Sequence, residues 1–286
     1  MSERGVDPQQ VRALLATASR IVVAESPLPN AAVLFESTRN ADAVELAAAL
    51  KIAVPEERFH CMCLGAPALY AYSGEKLVLE LTNHHGVSVR CSLWDSDAPL
   101  TDQESWLNWF DSRGIAAPRA EVEETRAREK RYQRHLEAWL MAMPVPLRAV
   151  WSSKWEGPWD YDVTELAETL RTEVPNDEER MLGLLQWFGS GAGPWSGYPA
   201  YEQVAEELLL EFSGEEIIRA VEGHGLNARQ TEGLARLFQA WRHHTSHGAD
   251  LDLIPPRLAR SVTSHVAAGG SSDKIARLRH ALSRRR

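Results

Sequence analysis

Apolar positions along this chain follow two periods. Up to residue 97, two helical stretches are mixed with runs of period two; beyond residue 119 the spacing is helical and no convincing strand follows. Val11, Leu14, Leu15 and Ala18 predict a helix over residues 8 to 20. Pro27 and Pro29 break it, Ala31 to Glu36 is a short β-type run, and Val44, Ala47, Ala48 and Ile52 predict a second helix over residues 41 to 53. Then Phe59, Cys61 and Cys63 alternate with His60, Met62 and Leu64. Leu69 to Tyr72 and Lys76 to Leu81 flank a Ser73-Gly74-Glu75 turn, and Val87, Val89, Cys91 and Leu93 alternate after a His85-Gly86 turn. This predicts an antiparallel meander that ends at Trp94-Asp95-Ser96-Asp97. A helix with Trp106, Leu107, Trp109 and Phe110 then runs to Gly114.

The remainder reads as helices. Residues 120 to 143 carry a stripe of Tyr132, Leu136, Trp139, Leu140 and Met143, supported by Glu124 four residues before Arg128, and are expected to bridge the two parts. Asp162 with Glu165, Ser213 with Glu216 and Asn227 with Gln230 are capping signals, each followed by an apolar stripe such as Leu234, Leu237, Phe238 and Trp241. The expected fold class is α+β. Residues 1–117 form a small antiparallel sheet with flanking helices, and residues 118–286 form an all-helical domain, either a bundle or an irregular α-solenoid. No fixed repeat period is visible, which favours the bundle.

Composition adds limits. Forty acidic against 31 basic residues give a net charge of −9, with 44% apolar residues, as in an ordinary soluble globular protein. No apolar run reaches the roughly 18 residues of a membrane span, and the N-terminus, with Glu3 and Asp7 beside Arg4, has no basic head followed by an apolar stretch. Three cysteines argue against a disulfide scaffold. A cytoplasmic protein that does not touch membranes is expected. Only five basic residues are Lys and Ala is abundant, the bias of a GC-rich bacterial genome such as an actinobacterium's. Residues 254–286 hold 8 basic residues and 1 acidic residue, but cations at a helix C-terminus complement its dipole, so no nucleic-acid partner is expected. Ten tryptophans, six of them between residues 139 and 195, indicate core or interface.

Four segments carry candidate chemistry. His60, Cys61, Cys63, His84 and Cys91, with His85 beside them, are the right atoms for zinc, although Cys-x-Cys on a strand puts its side chains about 7 Å apart, too far for one ion unless the strand bulges. His84-His85-Gly86 reads equally as a ligand-binding turn, tight and exposed, with Arg90 and the Asp95/Asp97 pair within reach. The Gly189 to Gly197 run fits neither dinucleotide nor P-loop spacing and reads as a compact loop that tucks in Trp195 and Tyr198. His243, His244 and His247 with Asp250 and Asp252 resemble a metal cluster, but a solvated histidine-rich loop accounts for them better.

At Phe59-His60-Cys61-Met62-Cys63-Leu64-Gly65, at His84-His85-Gly86 with Ser88 and Arg90, at Trp94 with Ser96-Asp97, and from Gly191 to Glu202, the chain resembles a family of uncharacterised actinobacterial proteins. The likeness spans most of residues 30 to 285. It implies a bacterial source and transfers no activity, cofactor or site. With no reaction motif present, the expected function is a non-enzymatic binding or adaptor protein without a cofactor. Its contact surface for a protein or peptide would be a groove between the sheet and the Trp-rich helices, using His84, His85, Arg90, Asp97, Trp195 and Tyr198. The alternative is a zinc- or thiol-dependent enzyme centred on His60, Cys61, Cys63, His84, His85 and Cys91.

Overall fold

A computed structural model describes residues 5, 7–56, 60–154, 161–193, 195, 199–244 and 246–283. Two compact units divide the chain, Met1–Lys130 and Arg131–Arg286. The boundary falls inside a helix, Ala117–Ala142, so the change from sheet to helices and the division into units do not coincide.

The first unit is a six-stranded antiparallel sheet with helices. In chain order its elements are α1 (Pro8–Ala16), β1 (Arg20–Ala24), β2 (Val33–Ser37), α2 (Asn40–Ala49), β3 (Ala68–Ser73), β4 (Lys76–His84), β5 (Ser88–Cys91), β6 (Ala98–Pro99) and α3 (Gln103–Asp111). The strands lie in the order β2-β1-β3-β4-β5-β6. Side-chain alternation gives this sheet two faces. Ile21, Val23, Leu69, Ala71, Leu79, Leu81, Val89 and Cys91 join Leu15, Leu46 and Trp106 from the helices in the main core. Val22, Ala24, Ala68 and Tyr70 form a small cluster on the other face.

One strand in this unit goes unpredicted and one expected strand is absent. Ile21 to Ala24, for which the pattern predicts no element, belongs to an interior strand; buried on both faces, it carries no polar alternation to mark it. Conversely, residues 60–64 are no strand but a bent loop that pairs with no neighbour, while Phe59 lies outside the described residues. The β-type alternation there comes from two inward-facing cysteines and an outward Met62 and Leu64, not from a pleat.

The second part holds nine α-helices among the described residues: α4 (Ala117–Ala142), α5 (Val145–Lys154), α6 (Val163–Glu173), α7 (Asp177–Phe188), α8 (Gln203–Leu209), α9 (Gly214–Gly223), α10 (Ala228–His243), α11 (Pro256–Ala268) and α12 (Ser272–Leu282). The capping signals act as expected: Ser213 with Glu216 and Asn227 with Gln230 each make both bonds of a capping box, and Asp162 accepts from the Thr164 and Glu165 amides. Helix α5 escapes the pattern reading because Pro146 suggests a break, whereas proline is tolerated in a first helical turn. The core is aromatic. Trp139 and Trp187 pack at 4.8 Å between centroids, and the Trp187 indole donates to the Trp139 carbonyl at 3.2 Å.

Tryptophan placement bears on the groove. Trp155 and Trp159 lie outside the described residues; the others are at most 6% exposed, with Trp94, Trp106 and Trp109 in the first unit's core and the rest in the second's. Packing inside each unit accounts for the eight tryptophans among the described residues.

Candidate metal centre

The candidate centre sits on the sheet face opposite the main core. By alternation from Leu81, which is in that core, Thr82 and His84 of β4 point to the second face, and so does Arg90 of β5, which pairs with Thr82. The loop 60–67 is fastened to the end of β4. The Ala66 amide donates to the Asn83 carbonyl at 2.8 Å, the Asn83 amide to the Pro67 carbonyl at 3.0 Å, and the Asn83 side chain to the Ala66 carbonyl at 2.7 Å. Gly65, at φ +77°, allows this approach: a Cβ there would lie 2.7 Å from His84 Nε2 and 2.9 Å from the Asn83 carbonyl oxygen.

Arg90 and Asp97 hold the other end of the loop. Asp97, almost fully buried, accepts from Arg90 Nε at 2.8 Å and from the Cys61 amide at 2.8 Å. The guanidinium of Arg90 also donates to the carbonyls of Cys61, at 2.6 Å, and Cys63, at 3.2 Å. Burial works against the charge on Asp97, yet the bonds from Arg90 and the Cys61 amide outweigh it and keep the carboxyl below its ordinary range. So Arg90 and Asp97, anticipated as binding residues, act here as the platform under the Cys-x-Cys turn.

Within this frame the side chains converge. Cys61 Sγ and Cys63 Sγ are 3.0 Å apart. His84 Nδ1 lies 3.1 Å from Cys63 Sγ, and the three ligand atoms of Cys61, Cys63 and His84 are all within 4.8 Å of one another. His85 Nε2 stands 3.4 Å from Cys61 Sγ and 3.3 Å from Cys63 Sγ. Each imidazole is held from behind: His84 Nε2 is 3.0 Å from Thr82 Oγ1, and His85 Nδ1 is 2.7 Å from Glu121 Oε1 of α4. His85 and Gly86 both have positive φ, 56° and 67°, and the Val87 amide bonds back to the His84 carbonyl at 3.1 Å, a type I′ turn.

Electrostatics follow from this packing. The bonds from the Cys63 side chain and backbone, with a further one from His85, bring the Cys61 thiol down to about 7, while burial raises that of Cys63. Burial, then the charge of Arg90, lowers His84; the bonds to Glu121 and Cys61 raise His85. A buried neutral imidazole beside a readily ionised thiol is a donor set suited to a thiophilic divalent ion.

The remaining candidates separate. Cys91 belongs to the main core on the opposite sheet face, 3% exposed, with burial pushing its thiol up to about 11. His60 is exposed, its Nδ1 4.0 Å from Asp97 Oδ1, outside the converging group. The turn expected to be exposed is half buried: His84 and Gly86 are covered and His85 is open, with Val122 packed where a Gly86 side chain would go. Trp195 lies in the second unit, its indole donating to Glu232 Oε1 at 3.1 Å, and Tyr198 falls outside the described residues. His247 is a packing residue, bonded to Asp250 at 2.7 Å and the Leu210 carbonyl at 3.0 Å and stacked on Trp241. The glycine-rich loop offers no anion cradle at Ala192 and Gly193, whose amides both donate to the buried Glu202.

Sequence reasoning missed Thr82 and Glu121. Glu121 precedes the apolar Val122 near the start of a charged helix and has no local signal of its own; Thr82, two residues before His84 on one strand, was legible by alternation. No protein-family model, curated protein or solved structure matches the chain. Among the described residues, no helix is long and apolar enough to cross a membrane.

Proposed function

We propose that the N-terminal unit is a metal-binding module in which Cys61, Cys63, His84 and His85 close around one zinc ion. The observation that carries this reading is the convergence of four soft or borderline donors, with a separate orienting partner behind each imidazole. Tetrahedral zinc, with sulfur at about 2.3 Å and nitrogen at about 2.0–2.1 Å, asks for sulfurs about 3.8 Å apart and sulfur–nitrogen distances of about 3.6 Å. The two sulfurs, 3.0 Å apart, and the sulfur–nitrogen pairs at 3.1, 3.3 and 3.4 Å therefore need to spread by less than about 1 Å. With Nδ1 of His84 and Nε2 of His85 on the ion, the remaining N–H of each ring donates to Thr82 and Glu121. Four protein ligands leave no position for a substrate, which supports a structural or binding role over a catalytic one. Elemental analysis of the purified chain tests this: about one zinc per chain is expected, lost in Cys61→Ala and Cys63→Ala; a metal-free chain that takes up none on incubation with zinc contradicts it.

A second reading has its own observation. Cys61, His85 and Glu121 stand in line as thiol, imidazole and carboxylate, the order of a thiol nucleophile, its base and the group that orients the base. Cys63 and His84 have no part in that chemistry, whereas all four have one in the metal reading. Alkylation separates them: a thiol enzyme keeps a fast-reacting Cys61 after Cys63→Ala and in the presence of zinc, while the metal reading has zinc protect both thiols.

A further inference from the structure

We infer that the Cys61/Cys63 pair makes the site responsive to oxidants: a peroxide converts the two metal-bound thiolates into a Cys61–Cys63 disulfide and releases the ion. This rests on the metal reading above and adds the regulation of that same site.

Three observations support it. The sulfurs are 3.0 Å apart on a two-residue step, so forming a bond of about 2.05 Å needs little further movement. The loop is open to solvent, with Met62 fully exposed and Leu64 77% exposed, so a small oxidant reaches the thiols from outside. The loop is also held independently of any ion, by Arg90 on the carbonyls of Cys61 and Cys63, by Asp97 on the Cys61 amide, and by the backbone bonds at Asn83. Losing the metal therefore leaves the sulfurs side by side, and the second thiol resolves the first before another chain or a second peroxide does. The third cysteine does not compete, because Cys91 is buried in the core on the other sheet face.

The chemistry balances. One thiolate attacks hydrogen peroxide, the O–O bond breaks, and a sulfenic acid and a hydroxide form. The second thiolate attacks that sulfur and expels a second hydroxide. Two protons from solvent convert the hydroxides to water. The sulfurs lose two electrons, the peroxide gains them, and the zinc, left with two imidazoles, departs as the divalent cation. A disulfide that closes so short a loop at an exposed site is of the kind readily reduced, so a thiol reductant restores the ligands.

The test uses the full chain loaded with zinc, its metal content and free thiols measured first, then titrated with hydrogen peroxide beside a chromogenic zinc chelator. The expected result is zinc release in step with the loss of two of the three thiols, an intact mass lower by two hydrogens, a Cys61–Cys63 linkage in the peptide map, and rebinding after dithiothreitol and zinc. Cys91→Ser should behave as the wild type. Zinc retained with the thiols intact at excess peroxide, release only with sulfinic or sulfonic products, or a linkage to Cys91 or to another chain each overturns the inference. A chain that holds no zinc before peroxide is added overturns the metal reading itself, and the release with it, so the two failures are told apart by the first measurement.

Discussion

In the helical unit the buried positions are mostly apolar, filled with Trp, Leu, Ile, Val, Phe and Ala, and the buried polar side chains are local ties: Glu202 and Arg236, 2.6 Å apart, hold a glycine-rich loop to α10, Thr231 donates to the Asn227 carbonyl, and His247 bonds Asp250 and the Leu210 carbonyl. The second face of the N-terminal sheet is built otherwise: Thr82, His84 and Asp97 are buried there, beside Arg90 and two thiols. Buried polar groups cost free energy unless each is partnered, so packing alone favours the first solution. A fold that keeps the second places its polar atoms for another reason, and the donor types on that face point to metal. Even the carboxyls differ in sense. Asp97 is held below its ordinary range by Arg90 and the Cys61 amide against the effect of burial, whereas burial raises Glu206 in the helical unit, with Glu207 adding to it and Arg236 opposing.

The sharpest way to break this contrast is to damage one side and read the other. Trp187→Ala removes the centre of the aromatic core and should cost about 3–5 kcal/mol in denaturant unfolding, while the folded fraction still holds its zinc. Loss of zinc from the folded fraction would contradict the separation of core and site. Asp97→Asn attacks the other unit: breaking a buried ion pair that also holds Cys61 should cost about 3 kcal/mol and weaken metal binding. Its pH dependence carries a sign. Because the folded carboxyl titrates below its unfolded value of 3.8, its contribution is fully present above that value and is lost as pH falls through the lower folded one. Acid titrations of the two proteins should therefore converge at low pH; parallel curves would deny the pairing.

Smaller effects sharpen the same comparison. Glu121→Gln leaves the fold within about 0.5 kcal/mol but loosens the orientation of His85, so zinc affinity in competition with a chelator should fall about 10–100-fold. An unchanged affinity would remove His85 from the coordination sphere. Glu206→Gln is expected to have the smallest effect and the opposite sign. A carboxyl raised above its unfolded 4.5 contributes stability below that pH and loses it as pH rises through the folded value. The variant should match the wild type in mild acid and exceed it by about 1 kcal/mol or less at neutral pH, measured by thermal melts.

How far the sequence foretold all this depends on the kind of signal. Helices with capping boxes at Ser213 and Asn227 and strands with alternation over Lys76 to Leu81 were legible, since their patterns are local. The strand Arg20–Ala24 was not, because burial on both faces erases the alternation. At the site, Cys61, Cys63, His84 and His85 were recognisable as metal-binding types, but assuming a strand for residues 59–64 put the thiols too far apart. Only tertiary bonds from Arg90 and Asp97 reveal the turn that brings them together. Cys91 could have been set aside earlier: next to Arg90 on one strand, it must face the other way.

The central claim, that two thiolates and two imidazoles hold one metal ion, is tested most directly by replacing zinc with cobalt(II) and recording the visible spectrum. The account predicts about one cobalt per chain in a tetrahedral site, seen as intense d–d absorption with thiolate-to-cobalt charge transfer. The charge transfer should be lost in Cys63→Ser, as in the chain lacking both Cys61 and Cys63, because one thiolate alone does not hold the ion. A weak spectrum of octahedral cobalt without charge transfer, or one unchanged when both cysteines are replaced, would contradict it.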